Sequence, residues 1–98
     1  MPFSMANKQG RQILTLEGAV TIRHAPDLAV RLGDLEDGVP VGIETGNLQD
    51  IDTCILQLLC ALRKTVPSVA FDSPSDAFIA AADRCGLRRE LLGAREGL

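Results

Sequence analysis

Asp50, Asp52, Thr53 and Cys54 crowd the end of a polar stretch that begins at Asn47, and they bring two carboxylates, a hydroxyl and a thiol together. Nine residues follow, Cys54 to Leu62, of which only Gln57 is not apolar. That composition predicts a helix buried on most of its surface, with its polar groups gathered at an exposed N-terminus. A helix start presents unpaired N–H groups and a partial positive charge of about +0.5, so it favours anions. It also favours a thiolate at Cys54, but the carboxylates of Asp50 and Asp52 oppose one there. Thiol catalysis needs a base as well, and the one histidine, His24, stands thirty positions earlier at the start of another predicted helix. No catalytic residue is therefore assigned, and an enzyme built on Cys54 is the competing class. Asp50 and Asp52 alone make a poor cation site, and no metal is expected. A phosphate-cradling glycine loop is absent from the sequence, and no cofactor is expected.

The elements that must hold this helix start are those of a small globule. A chain of 98 residues, 46% hydrophobic, is read as one domain over residues 1–98 with a packed core. Phe3, Phe71 and Phe78 are its only aromatic residues, so the core is aliphatic and stacking platforms for single-stranded nucleic acid are lacking. A net charge of −3 disfavours nucleic acid as a partner. From Asp27 to Asp52 the acids Asp27, Asp34, Glu36, Asp37, Glu44, Asp50 and Asp52 face only Arg31. That patch is either a steering surface for a basic partner or a solvated face. Cys54, Cys60 and Cys85 are odd in number and lack CxxC spacing, which reads as reduced thiols. The first ten residues hold no apolar stretch, and no run nears the roughly 18 residues of a membrane span. A cytoplasmic protein without membrane insertion is expected.

Residues 1–10 are either a ragged edge strand or a disordered lead-in. Arg11 to Leu16 has strand composition, Glu17-Gly18 marks a turn, and Ala19 to Ile22 reads as a second strand. Pro26 suits the first turn of a helix whose apolar stripe is Ala25, Leu28, Ala29, Leu32 and Leu35, ended by Asp37-Gly38. Val39, Val41 and Ile43 alternate as a strand, and Thr45 to Asp52 is a connecting loop. The second helix runs from about Thr53 to Thr65 and stops at Pro67. A strand over 68–71, a turn at Asp72 to Ser75, and a third helix from Ser75 to a Gly86 cap follow, with Phe78, Ala81, Ala82 and Cys85 facing inward. Leu87 to Leu92 adds a last short helix, and residues 93–98 fray. The order β-β-α-β-α-β-α predicts an α/β fold, a mixed β-sheet covered by α-helices.

Four features in this order resemble the STAS family, the fold of anti-sigma factor antagonists. They are Leu16-Glu17-Gly18, the Ile51-Asp52-Thr53 turn, Leu56-Gln57-Leu58-Leu59, and the close from Pro74-Ser75 to Gly86-Leu87. The Asp-Thr-x-x-Leu form is similar to small free-standing bacterial STAS proteins, including relatives of the cytoplasmic subunit of the phospholipid-asymmetry ABC transporter. The resemblance implies a non-enzymatic module that docks a partner protein through Asn47, Gln49, Asp50, Asp52, Thr53, Cys54, Ile55 and Gln57. Ser73 and Ser75, and Arg23 with His24, lie at the margins of that face. The implied partners are an anti-sigma factor or kinase of the histidine-kinase-like ATPase fold, or the nucleotide-binding subunit of an ABC transporter. Two departures stand out. Cys54 occupies the family's phosphoserine position, which a Ser/Thr kinase cannot use, leaving Thr53 as a substitute acceptor. Ile55 replaces the usual Gly and is either an exposed docking group or core. Ser75 reads more simply as a helix cap, and His24 as a cap or a surface residue. Some STAS relatives bind nucleotides, so a nucleotide-binding module is a further alternative. The oligomeric state is left open.

Overall fold

The computed structural model describes residues 2–35, 38–66 and 69–92. Phe3–Lys8 (β1) and Arg11–Leu16 (β2) form an antiparallel hairpin. Gln9 and Gly10 turn it, both at positive φ, the backbone a tight two-residue hairpin loop requires. The first residues are thus an edge strand. Gly18–Val20 (β3) leads through a 3-10 turn, Ile22–His24, into the helix Ala25–Gly33 (α1). Val41–Glu44 (β4) and Leu48–Ile51 (β5) follow, then the helix Thr53–Thr65 (α2). Val69–Asp72 (β6), Asp76–Arg84 (α3) and Arg88–Leu92 (α4) complete the described elements.

The main sheet has the order β1-β2-β4-β6, with β2, β4 and β6 parallel. The mixed sheet and helical cover agree with the sequence, but two elements do not. The strand expected over Ala19 to Ile22 is shorter and stands outside the main sheet. It pairs in parallel with β5, which lies within the stretch predicted as a loop. Leu48 and Ile51, 3% and 5% exposed, bury both ends of β5, while Gln49 and Asp50 between them stay in solvent. Four residues with that pattern show neither strand nor helix period. Helix α1 also ends early, at Gly33, with Asp34 as its C-cap. The stops assigned to Asp37 and Pro67, the strand start at Ser68 and the fraying of 93–98 lie outside the described residues.

Alternation along the strands separates two faces. Leu14, Leu16, Val41 and Ile43 point inward, where Leu28 of α1, Ile55, Leu56 and Leu59 of α2, Phe78 of α3 and Leu91 of α4 meet them in one buried cluster. Phe71 and Phe78 stack with ring centroids 5.5 Å apart. On the outer face the Arg11 guanidinium crosses Gly42 to reach Asp72 at 3.2 Å, in space that a Cβ on Gly42 would obstruct. Local signals end α3 as expected: Ser75 accepts the Phe78 N–H at 3.1 Å, and beyond its C-terminus Gly86 takes φ +70°.

Thr45, just past β4, is fully buried, and its hydroxyl has no hydrogen-bond partner among the described residues. An orphaned buried hydroxyl costs about 1–3 kcal/mol. Thr45→Val keeps the shape and removes the hydroxyl, so it should raise stability by about 1 kcal/mol in chemical denaturation, and a loss of stability would refute the assignment.

Candidate functional site

β3 and β5 run side by side, Val20 against Ile51, and deliver the chain into the start of α2. At Asp52 the backbone is extended, with φ −81° and ψ 154°, the geometry of a helix N-cap. Its carbonyl accepts the N–H groups of Ile55 and Leu56 at 3.0 and 3.3 Å, and its own N–H donates to the Val20 carbonyl at 3.1 Å. Its carboxylate does not cap α2. Oδ2 instead accepts the Ile22 N–H at 2.7 Å, capping the 3-10 turn of a segment thirty residues away. His24 also acts locally: its Nδ1 accepts the Thr21 N–H at 3.0 Å. That lone pair is engaged in capping, which argues against His24 as a base for Cys54.

Beyond Asp52 the residues alternate between solvent and core. Thr53 is exposed, its Oγ1 3.3 Å from the Sγ of Cys85, the residue that caps the C-terminus of α3. Cys54 is half-buried against the core. Ile55 is 0% exposed, which removes it from any docking face and makes the Gly-to-Ile departure a matter of packing. Gln57, one turn on from Thr53, is exposed, as are Asn47, Gln49 and Asp50. Asp50 accepts the Ile51 N–H at 2.9 Å. The polar face therefore consists of Gln49, Asp50, Thr53 and Gln57, with part of Asp52.

Asn47 connects this face to a second feature. With Gly46, Ser73, Thr15, Glu44 and Asp72 it lines a shallow cleft of about 200 Å³ at the carboxyl ends of β4 and β6. The structure so brings Ser73 beside Asn47. Ser73 itself is exposed, at φ +49°. Ser75 is half-buried and committed to capping α3. Arg23 is exposed and His24 half-buried beside the 3-10 turn. Cys85 was read only as an inward residue of α3; no pattern in the sequence joins positions 53 and 85, which meet because α3 packs beside β5.

Burial, with Glu90 nearby, pushes the Cys60 thiol above its usual value near 9.0, against the opposing charges of Lys64 and Arg63. Among the described residues no three His, Cys, Asp or Glu side chains are grouped to hold a metal ion. No described helix is long and apolar enough to cross a membrane.

No protein-family model matches the sequence, and no curated protein matches it. Among solved structures, the fold is similar to that of the anti-sigma factor antagonist SpoIIAA in its unphosphorylated form. The TM-score is 0.74, over 96% of this chain and 89% of that one, at 12% identity. A structure described as Mglu matches at a TM-score of 0.60 and 20% identity over 74% of this chain, which spans only 20% of that protein. At these identities the likeness is one of fold: the chain has the STAS fold.

Two outcomes test this geometry. Asp52→Ala removes a charged acceptor from the Ile22 N–H and should cost about 1–3 kcal/mol in denaturant unfolding, with Asp52→Asn milder; an unchanged midpoint would break the tie. Timed alkylation of the native chain should label Cys60 last, because its thiol is both buried and held protonated, and equal rates at all three cysteines would contradict that.

Proposed function

We propose that this chain is a regulatory protein-interaction module of the anti-sigma factor antagonist kind, performing no chemistry of its own and docking through β5 and the start of α2. The observation that carries the proposal is the division of α2. Ile55, Leu56 and Leu59 are fully buried, while Thr53 and Gln57 on the same two turns stand in solvent next to Gln49 and Asp50. A polar face backed by a packed core is preorganised, so a partner that binds it gives up little ordering entropy. The likeness of fold to an anti-sigma factor antagonist supports the same class. Residues 1–98 are taken as one such domain, acting in the cytoplasm.

The acidic groups at this face suit a partner with a basic docking surface. We place that partner among kinases of the histidine-kinase-like ATPase fold that act as anti-sigma factors, or among the nucleotide-binding subunits of ABC transporters. Cys54 offers no hydroxyl, and it is half-buried. The interaction is therefore constitutive rather than switched by a serine kinase. Thr53 is the exposed hydroxyl at the helix start, and a phosphate there would set about two negative charges beside Asp50 and Asp52, closing the face to the same partner.

Because Asp52 holds the fold together, the docking face is better tested at Gln57. Affinity capture from native lysate with wild-type and Gln57→Lys baits should recover a partner with the first and lose it, by roughly tenfold or more in affinity, with the second. The thermal midpoint of the variant should match wild type, since Gln57 is exposed. Equal capture by Gln57→Lys and Gln49→Lys would show that the face is wrong. A wild-type bait that retains nothing specific would turn attention to nucleotide binding and thiol chemistry.

A further inference from the structure

We infer that the 3-10 turn Ile22–His24 is a pH-sensitive catch: neutral His24 holds it closed, and protonation of that ring releases it and loosens the start of α2 from the entry to α1. A reciprocal pair of bonds closes the turn. The His24 N–H donates to the Thr21 carbonyl at 2.9 Å, and His24 Nδ1 accepts the Thr21 N–H at 3.0 Å. This is a capping box in which His24 stands where Glu or Gln usually stands. Glu and Gln keep their acceptor oxygen throughout the neutral range, and histidine does not. An acceptor at Nδ1 requires the neutral ring with its proton on Nε2. In the imidazolium both ring nitrogens are donors, and Nδ1–H then meets the Thr21 N–H head on. The proton and the bond compete for one lone pair, so the bond is complete at high pH and is lost as pH falls. The Thr21 hydroxyl, 3.4 Å from the same nitrogen, offers the charged ring a different acceptor. The two protonation states thus have different partners on one residue, and the acid state leaves the Thr21 N–H unpaired.

The turn holds more than its own cap. The Ile22 N–H inside it donates to Asp52 Oδ2 at 2.7 Å, and the Asp52 N–H donates to the Val20 carbonyl at 3.1 Å. These two bonds fix the start of α2 against the segment that leads into α1. The charged groups on the adjoining elements are Arg23 on the turn, Asp27 in the first turn of α1 and Asp52 at the head of α2; β3 carries none. A positive ring is drawn to the two carboxylates, and its pull on Asp52 acts against the bond to Ile22. His24 is the one histidine of the chain, and histidine is the side chain that ordinarily changes charge between about pH 5 and 8. The consequence for partner binding rests on the docking face proposed at the start of α2; the release of the turn does not.

Nitrogen-15 NMR of the full chain reads the catch directly. At about pH 7.5 the His24 ring should show a bare Nδ1 and a protonated Nε2. At about pH 5 the hydrogen-exchange protection of the Thr21 and Ile22 amides should fall roughly tenfold, the size of one lost hydrogen bond. His24→Gln keeps an acceptor that does not titrate, so it should hold that protection at both pH values. A protonated Nδ1 at about pH 7.5, unchanged protection at about pH 5, or an equal loss in His24→Gln would each overturn the inference. A loss confined to Thr21, with Ile22 still protected, would overturn the link to Asp52. Partner capture should weaken at about pH 5 with wild type and not with His24→Gln. If Gln57→Lys loses the partner while wild type holds it equally at both pH values, the control of docking fails and the docking face stands. If the amides respond while Gln57→Lys and Gln49→Lys capture normally, the docking face fails and the catch stands.

Discussion

Asp52 is the tie on which this arrangement depends. Its N–H reaches the Val20 carbonyl, its carboxylate receives the Ile22 N–H, and its own carbonyl starts the ladder of α2 at Ile55 and Leu56. Three segments far apart in sequence thereby meet at one residue: the end of β3, the turn that opens α1, and the start of α2. The carboxylate bond to Ile22 is short, and a charged acceptor contributes more than a neutral one, roughly 1.5–3 kcal/mol. Without it the small β3–β5 pair would rest on a three-residue strand with an irregular register. The polar face at the start of α2 would then have no fixed relation to α1.

The two helices that flank this tie spend their surfaces differently. α2 buries Ile55, Leu56, Leu59 and Leu62, so what remains in solvent is Thr53, Gln57, Ala61, Lys64 and Thr65, with no large apolar side chain. α1 buries Leu28 fully and leaves Val30 outside, with Ile22 before it. A buried helix carries its neighbours rigidly; a helix resting on one stripe retains a second face for another surface. The opposite side of the main sheet carries small, polar or charged residues apart from Ile13, which is 5% exposed beside Gly42 where Arg11 crosses to Asp72. At 39% and 42% exposure that ion pair adds little stability, and its effect is to keep the sheet face hydrated.

Several of these features were legible in the residues themselves, because their causes are local. The α2 helix follows from its apolar run, the β2 and β4 strands from their alternation, and the caps of α3 from Ser75 and Gly86. The predicted covering of a mixed sheet by helices rests on those same periods. Thr53 was placed at an exposed helix start because the apolar run begins just after it, whereas Gln57 was placed there only by the resemblance to the STAS family.

What tertiary structure alone decided lies where a residue's role depends on a distant partner. Leu48 to Ile51 is a strand because β3 is beside it, not because its own pattern alternates. Asp52 occupies the N-cap position of α2, yet gives its carboxylate to Ile22, since only the paired β3–β5 ribbon brings that N–H within reach. Ile55 fitted a docking surface and a core equally well until the sheet beneath it filled that choice. Cys85 meets Thr53 through the packing of α3 on β5. Short-range pattern determines which residues turn inward, and long-range pairing determines which polar groups meet, because a hydrogen bond 30 residues apart in sequence leaves no period to read.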